Sequence, residues 1–290
     1  MQELHYDSPT SLQDGIRLLG GGASRLLAGG TDLIPQLREG RRSAAHVINL
    51  KRIPELNAID RRADGSWRIG AAVTIGKLAQ HVAFASEHAA LLASAKLIGS
   101  LQIQNRASLG GNVCNAAPSA DAVPLLICLG AVAEIAGPNG LRSIPVAVVA
   151  TAPGRTSLAD GEILVAIVLP AARPRTAAAY QRFTPRREMD IAIAGAGAWI
   201  ELDASGVIIG AKITLASVAP TPLVATQAQR VLIGSKPSLA LFAEAAAVAA
   251  REARPISDTR GSADYRRHLV AVLTRRVLAA CAAELGCKVE

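Results

Sequence analysis

Apolar runs of two kinds alternate along the first 170 residues, and the alternation decides the fold class. SPTSLQDGIRLLG (8–20) reads as a capped helix, with Leu12, Ile16 and Leu19 on one face and Gly20 to Gly22 as its stop. A short buried strand follows (Leu26, Leu27, Ala28), then a Gly-Gly turn and a brief helix; Val47 to Leu50 form a second strand, and IPELNAI extends the pattern. Trp67 to Ala72 is a third strand after the Asp64-Gly65 turn, and TIGKLAQHVAFA turns helical. Residues 87–104 repeat apolar side chains at helical spacing, NRASLGGNVCNAAPSAD reads as a loop, and AVPLLICLGA as a helix. AVAEIAG, LRSIPV and EILVAIVLP are strands. Strand and helix in this order make two α/β subdomains, about 1–58 and 59–172, each with its own Gly-Gly turn. Beyond the connector ARPRT the order changes. AAAYQRF, AIAGAGAWIELD and VIIGAKITLASVA are three strands, with a hairpin at Asp203 to Gly206, and two helices close the chain from Ser238. Residues 173–290 therefore form a separate α+β domain, a three-stranded sheet plus helices, and the whole chain is α+β.

Several function classes drop out. Aromatics are 3% of the chain, so the core rests on Ala, Val, Leu and Ile, and stacked-aromatic RNA surfaces are missing. Cys114, Cys128, Cys281 and Cys287 form no CxxC pair, and His81 and His88 are the only neighbouring histidines, which disfavours a zinc or iron–sulfur site. Unpaired cysteines and an N-terminus without a secretory signal suit a reducing cytoplasm. No apolar run reaches the ~18 residues of a membrane span. The net charge of +8 fits a solvated Arg-rich surface, an acidic cofactor, an acidic partner or nucleic acid.

Two glycine loops stand out, Ala28-Gly29-Gly30-Thr31-Asp32-Leu33 and Ser108-Leu109-Gly110-Gly111-Asn112-Val113. Adjacent glycines leave backbone N–H groups unobstructed and can curl around a phosphate, with Thr31, Ser108 and Asn112 as added donors. One such loop is commonly only a turn; two, each in its own subdomain, fit a diphosphate. No GxxxxGK[ST] is present, and Gly195-Ala196-Gly197 lies inside a strand, where it reads as close packing.

With these residues the chain resembles the FAD-binding medium subunit of the molybdenum hydroxylases, the xanthine dehydrogenase and carbon monoxide dehydrogenase group. The resemblance spans nearly the whole chain and rests on five blocks in order: AGGTDL at 28–33, IGAAVTI at 69–75, NRASLGGNVCNAAPSADAVPLL at 105–126, GEILVAIVLP at 161–170 and YQRFTPRREMDIA at 180–192. It implies a vanillyl-alcohol-oxidase-type FAD-binding fold over 1–172, followed by a C-terminal domain of the carbon monoxide dehydrogenase flavoprotein type. It implies that Leu27, Ala28, Gly29, Gly30, Thr31, Asp32 and Leu33, with Ser108, Gly110, Gly111 and Asn112, wrap the diphosphate and ribityl chain. Thr74 and Ile75 match a stretch near the flavin. Asp121 falls at an acidic position beside the adenosine ribose or nearby cofactor atoms, Ile98 where relatives place an aromatic, Leu164 at an apolar contact, and Arg182 where relatives have Lys near the flavin ring. Taken alone, Asp121 also reads as a helix N-cap, Arg182 as a surface charge, Ile98 and Leu164 as core, and Arg187 with Asp190 as an ion pair ordering their turn.

No triad, carboxylate pair or metal cluster is evident, which suits a protein whose cofactor carries the chemistry. The resemblance implies an oxidoreductase subunit that relays electrons. A small subunit with two [2Fe-2S] clusters would supply them, a large subunit with a molybdenum cofactor would hydroxylate the substrate, and NAD, a quinone, oxygen or another carrier would accept them. The assembly would be a heterotrimer, with pairing into a dimer of heterotrimers. FAD should be non-covalent, because no histidine adjoins the first Gly-Gly pair, and Cys128 alone between Asp121 and Leu164 leaves no room for an added [4Fe-4S] cluster. The competing readings are a stand-alone FAD-dependent oxidase of the same fold and a basic nucleic-acid protein.

Overall fold

The computed structural model describes residues 4–20 and 23–289; Gly21 and Gly22 of the expected helix stop lie outside the described residues, as do Met1 to Glu3. The strands are β1 His5–Asp7, β2 Ser24–Leu27, β3 His46–Asn49, β4 Ile59–Arg61, β5 Trp67–Gly70, β6 Val132–Gly137, β7 Gly140–Pro145, β8 Ala150–Ala152, β9 Arg155–Thr156, β10 Ile163–Leu169, β11 Thr176–Phe183, β12 Ala194–Leu202, β13 Ile208–Ala216 and β14 Leu223–Val224. The helices are α1 Leu12–Leu19, α2 Leu33–Arg38, α3 Ile75–Gln80, α4 Val82–Glu87, α5 Ala89–Ala95, α6 Leu101–Gln104, α7 Leu109–Asn115, α8 Val123–Cys128, α9 Thr226–Leu232, α10 Leu239–Glu252 and α11 Ala263–Glu284. The fold is α+β. Two compact units form, one from Met1–Ser86, Gly99–Ala116 and Ala131–Ala171, the other from Glu87–Ile98, Ala117–Gly130 and Ala172–Glu290.

The first unit holds two main sheets. One is parallel, in the order β1-β3-β2. The other is antiparallel, in the order β4-β5-β10-β6-β7. Strand β10 is central, so ILVAIVL is apolar along nearly its whole length instead of alternating. Helix α1 starts where Ser11 accepts a hydrogen bond from Asp14 N (3.1 Å), and its Leu12, Ile16 and Leu19 stripe packs on Ile53, Leu56, Ile163 and Val165. Trp67, fully buried, meets Phe84 and His81 edge-on, with ring centroids 5.5 and 5.2 Å away.

In the second unit the sheet order is β11-β12-β13-β14, all antiparallel. Strand β12 carries Ala194-Gly195-Ala196-Gly197-Ala198, and its small side chains let helices close on both faces. A Cβ on Gly197 would lie 3.2 Å from Pro124 of α8. Ala198 points the other way, and its carbonyl is met by the Cys281 thiol of α11 at 3.8 Å. The hairpin at Asp203 forms as expected. Its carboxylate accepts from Ser205 N (2.8 Å) and Val207 N (2.9 Å), and Gly206 takes φ +81°.

Four local expectations need correction. The sheet has a fourth strand, β14, beside the three expected; it is two residues long and follows Pro220 and Pro222, so it carries no period. The stretch 87–104 is two helices, separated at Gly99 with φ +60°. Residues Leu109–Asn115, read as loop, are helix α7, whose poor helix formers Gly110, Gly111 and Asn112 hid it. Asp190 is paired by Arg186 at 3.6 Å instead of Arg187.

One buried arginine ties the second unit together. Arg266, 4% exposed, donates through Nη1 to Ile193 O (2.6 Å) and Ser217 O (3.1 Å), and through Nη2 to Asp258 (2.7 Å). Arg266→Ala strands these acceptors. It should lower the unfolding free energy in urea by ~3 kcal/mol; a loss below ~1 kcal/mol would show that the acceptors find other partners.

Candidate functional site

Three of the singled-out stretches meet inside the first unit. The turn after β2 lies directly on the chain before α7: a Cβ on Gly29 would sit 2.1 Å from Arg106 O and 3.0 Å from Ala107 Cα. Ile75 N donates to Ala107 O (2.9 Å), and Thr74 and Ser108 form an isolated antiparallel bridge. A Cβ on Gly110 would sit 2.5 Å from Ala71 O, so α7 begins against the end of β5. Gln36 Nε2 of α2 donates to Asn115 Oδ1 of α7 (3.3 Å), joining the helices that follow the two glycine pairs. Residues 27–33, 74–75 and 108–112 thus form one locus. Close backbone contact is what Gly29 and Gly110 serve. Among the glycines of the two loops only Gly30, at φ +75°, needs positive φ.

The polar groups at this locus are mostly committed. Ser108 caps α7, accepting from Gly111 N (3.0 Å), and Thr74 caps α3, accepting from Lys77 N (3.1 Å). Asn112 differs: its side-chain Oδ1 is buried and has no hydrogen-bond partner among the described residues. An orphaned buried acceptor costs about 1–3 kcal/mol unless a ligand or water serves it. Thr31 is half-buried and Asp32 exposed. Ile75 and Leu164 are core residues, at 0% and 3% exposure, and Leu27 packs with Ala44 and Val47. Burial pushes the Cys114 thiol up to about 12, so it supplies no thiolate nucleophile.

Ile98, Asp121 and Arg182 belong to the second unit. Ile98 is half-buried just beyond α5. Asp121 is buried but is not a helix cap: Ala122 holds that position, and no side chain caps α8 there. Its carboxylate accepts from Tyr180 Oη (3.0 Å) and from Arg182 Nη1 (2.5 Å). Arg182 is correspondingly no surface charge, with its side chain 7% exposed. Burial pushes the Asp121 carboxyl up to about 6, against the opposing pull of Arg182 and Tyr180. Tyr180 is the residue the sequence reading passed over. Positions 180 and 182 share one face of a strand, which was the available signal.

Residues 2–172 match the family described as FAD binding domain in molybdopterin dehydrogenase. The chain belongs to the FAD-binding medium-subunit family of the molybdenum hydroxylases. Residues 178–281 match the CO dehydrogenase flavoprotein C-terminal domain. The chain is 32% identical over 287 residues to the xanthine dehydrogenase FAD-binding subunit of Escherichia coli O157:H7, covering 98% of each. It is 32% identical over 276 residues to the carbon monoxide dehydrogenase medium chain of Hydrogenophaga pseudoflava, covering 94% of this chain and 95% of that one. Among solved structures, carbon monoxide dehydrogenase from Hydrogenophaga pseudoflava lacking the Mo-pyranopterin moiety superposes with a TM-score of 0.93 at 30% identity over 99% of both chains. Quinoline 2-oxidoreductase from Pseudomonas putida 86 gives 0.91 at 28% identity, over 97% of this chain and 98% of that one. As a flavin subunit of this family the chain is part of an oxidoreductase.

The residues of the locus fit FAD: an unserved buried amide oxygen lies beside turns whose first helical N–H groups lack intrahelical acceptors. The glycines differ in what a methyl group would cost. Gly110→Ala must displace Ala71 backbone and should lower Tm by several degrees and abolish flavin retention, whereas Gly111→Ala meets only Ser108 Oγ, at 3.1 Å, and should stay within ~1 kcal/mol of the parent. Thermal unfolding of both variants checks this; equal losses would mean the α7–β5 contact is not what demands glycine.

Proposed function

We propose that this chain holds FAD non-covalently and serves as the electron-transfer subunit of a heterotrimeric molybdenum hydroxylase. In this reading electrons arrive from a [2Fe-2S] subunit and leave to NAD, a quinone, oxygen or another carrier, while substrate hydroxylation takes place on a separate molybdenum-cofactor subunit. The observation that carries it is the meeting of 27–33, 74–75 and 108–112 at one locus with an unserved Asn112 oxygen. The relatives named xanthine dehydrogenase and carbon monoxide dehydrogenase subunits support the wider assignment.

When bound, FAD supplies a carrier that exchanges electrons singly or in pairs. The chain's own residues bind and orient it. Gly29, Gly30, Thr31 and Asp32, with Ser108 and Gly110, present backbone and hydroxyl groups to the diphosphate and ribityl chain, and Gly111 holds the Ser108 hydroxyl in place through its N–H. Asn112 accepts from a ligand hydroxyl or amine through the oxygen that lacks a partner. Leu27, Ala28, Leu33, Thr74, Ile75 and Leu164 shape the apolar surround in the first unit. Ile98, Asp121 and Arg182, all in the second unit, are proposed as further cofactor contacts, Asp121 and Arg182 as a hydrogen-bonded pair. Because Asp121 sits against the guanidinium, Arg182 presents the field of an ion pair, weaker than that of the lone cation expected from sequence.

The purified chain should carry one FAD that acid precipitation releases into the supernatant, and alone it should show no oxidase turnover. Asn112→Ala should weaken FAD about fivefold to tenfold in a fluorescence titration. Yellow colour left on the acid pellet would contradict non-covalent binding, and unaltered affinity in Asn112→Ala would remove that oxygen from the site.

A further inference from the structure

We infer that Tyr180 is a positioning residue of the FAD site, fixing the Asp121 carboxylate so that its second oxygen clamps Arg182. The inference rests on the assignment of Asp121 and Arg182 to that site proposed above.

The geometry is confined to the second unit. Tyr180 and Arg182 leave the same face of β11 two residues apart. Each takes a different oxygen of Asp121: Tyr180 Oη donates to Oδ1 at 3.0 Å, and Arg182 Nη1 to Oδ2 at 2.5 Å. The carboxylate is thus held at both ends and its rotamer is fixed. From the elements packed on α8, Tyr180 and Arg182 are the titratable or charged groups that act on Asp121 among the described residues. The neighbouring strand is shaped to admit the phenol. Gly195 lies on β12, and a Cβ there would stand 2.5 Å from Tyr180 Oη. This accounts for the first glycine of Gly195-Ala196-Gly197, which no phosphate-binding motif explains. The half-buried Tyr180 phenol, with both a carboxylate and a guanidinium nearby, is held in its neutral, donating form, because desolvation and the Asp121 charge both raise its pKa.

A donor on the carboxylate favours its ionised form, so removing it raises the pH at which Asp121 takes a proton. The test is the affinity of the deflavinated full-length chain for FAD across pH, read by flavin fluorescence. In the parent protein affinity should fall as pH is lowered through the Asp121 titration. In Tyr180→Phe the midpoint should move up by about one pH unit, with affinity at alkaline pH within about threefold of the parent. Gly195→Ala, whose Cβ displaces the hydroxyl from Asp121 while Tyr180 itself is kept, should move the midpoint the same way; it keeps the test open if Tyr180→Phe folds poorly. Asp121→Asn should flatten the profile. A flat Asp121→Asn profile with unmoved midpoints in Tyr180→Phe and Gly195→Ala would overturn the role of Tyr180 and leave the site assignment standing. An Asp121→Asn profile identical to the parent's would overturn the assignment of Asp121, and the role of Tyr180 with it.

Discussion

Backbone rests on backbone where Gly29 meets Arg106 and Ala107, and the candidate site exists because of that contact. No side chain fits between two main chains at this distance, so glycine is demanded by packing before any ligand is considered. The same contact aligns the turn after β2 with the start of α7, and Gly110 against Ala71 fixes α7 from its other side. Ile75 N on Ala107 O and Gln36 on Asn115 then lock the register of the pieces. A phosphate-facing nest was the sequence-level reason for glycine at these positions. The structure adds a scaffold reason that acts with or without a ligand.

Regular elements were legible wherever a cap or a turn residue marked them. Ser11 and Ser238 each accept a hydrogen bond from the N–H three residues on, and the helices they open begin where the sequence suggested; Ser262 caps the last helix in the same way. The Asp203 hairpin was equally plain. Helix α7 was not, because its propensities are those of a loop and it forms through its Ser108 cap and its contact with Ala71. Strand β14 escaped for a different reason: two residues cannot show a period of two.

The candidate site was legible as a set of short blocks, and less so as chemistry. Residues 29–33 and 108–112 share a locus because of pairings some eighty residues apart in the chain, which no local pattern encodes. Arg182 looked like a surface charge because its partner lies 61 positions away, and Asp121 looked like a cap because it precedes a helix. Tyr180, which binds that same carboxylate, has no motif of its own. The second unit therefore offers a compensated ion pair where a free cation was expected. Such a pair orients precisely placed donors at the expense of long-range field.

Hydrogen exchange of the full-length chain with and without FAD tests the central claim most directly. If the converged turns hold the cofactor, amides of residues 29–33 and 109–112 gain protection together on adding FAD, and to a similar degree. FAD that binds while both segments exchange as fast as in its absence would contradict the account.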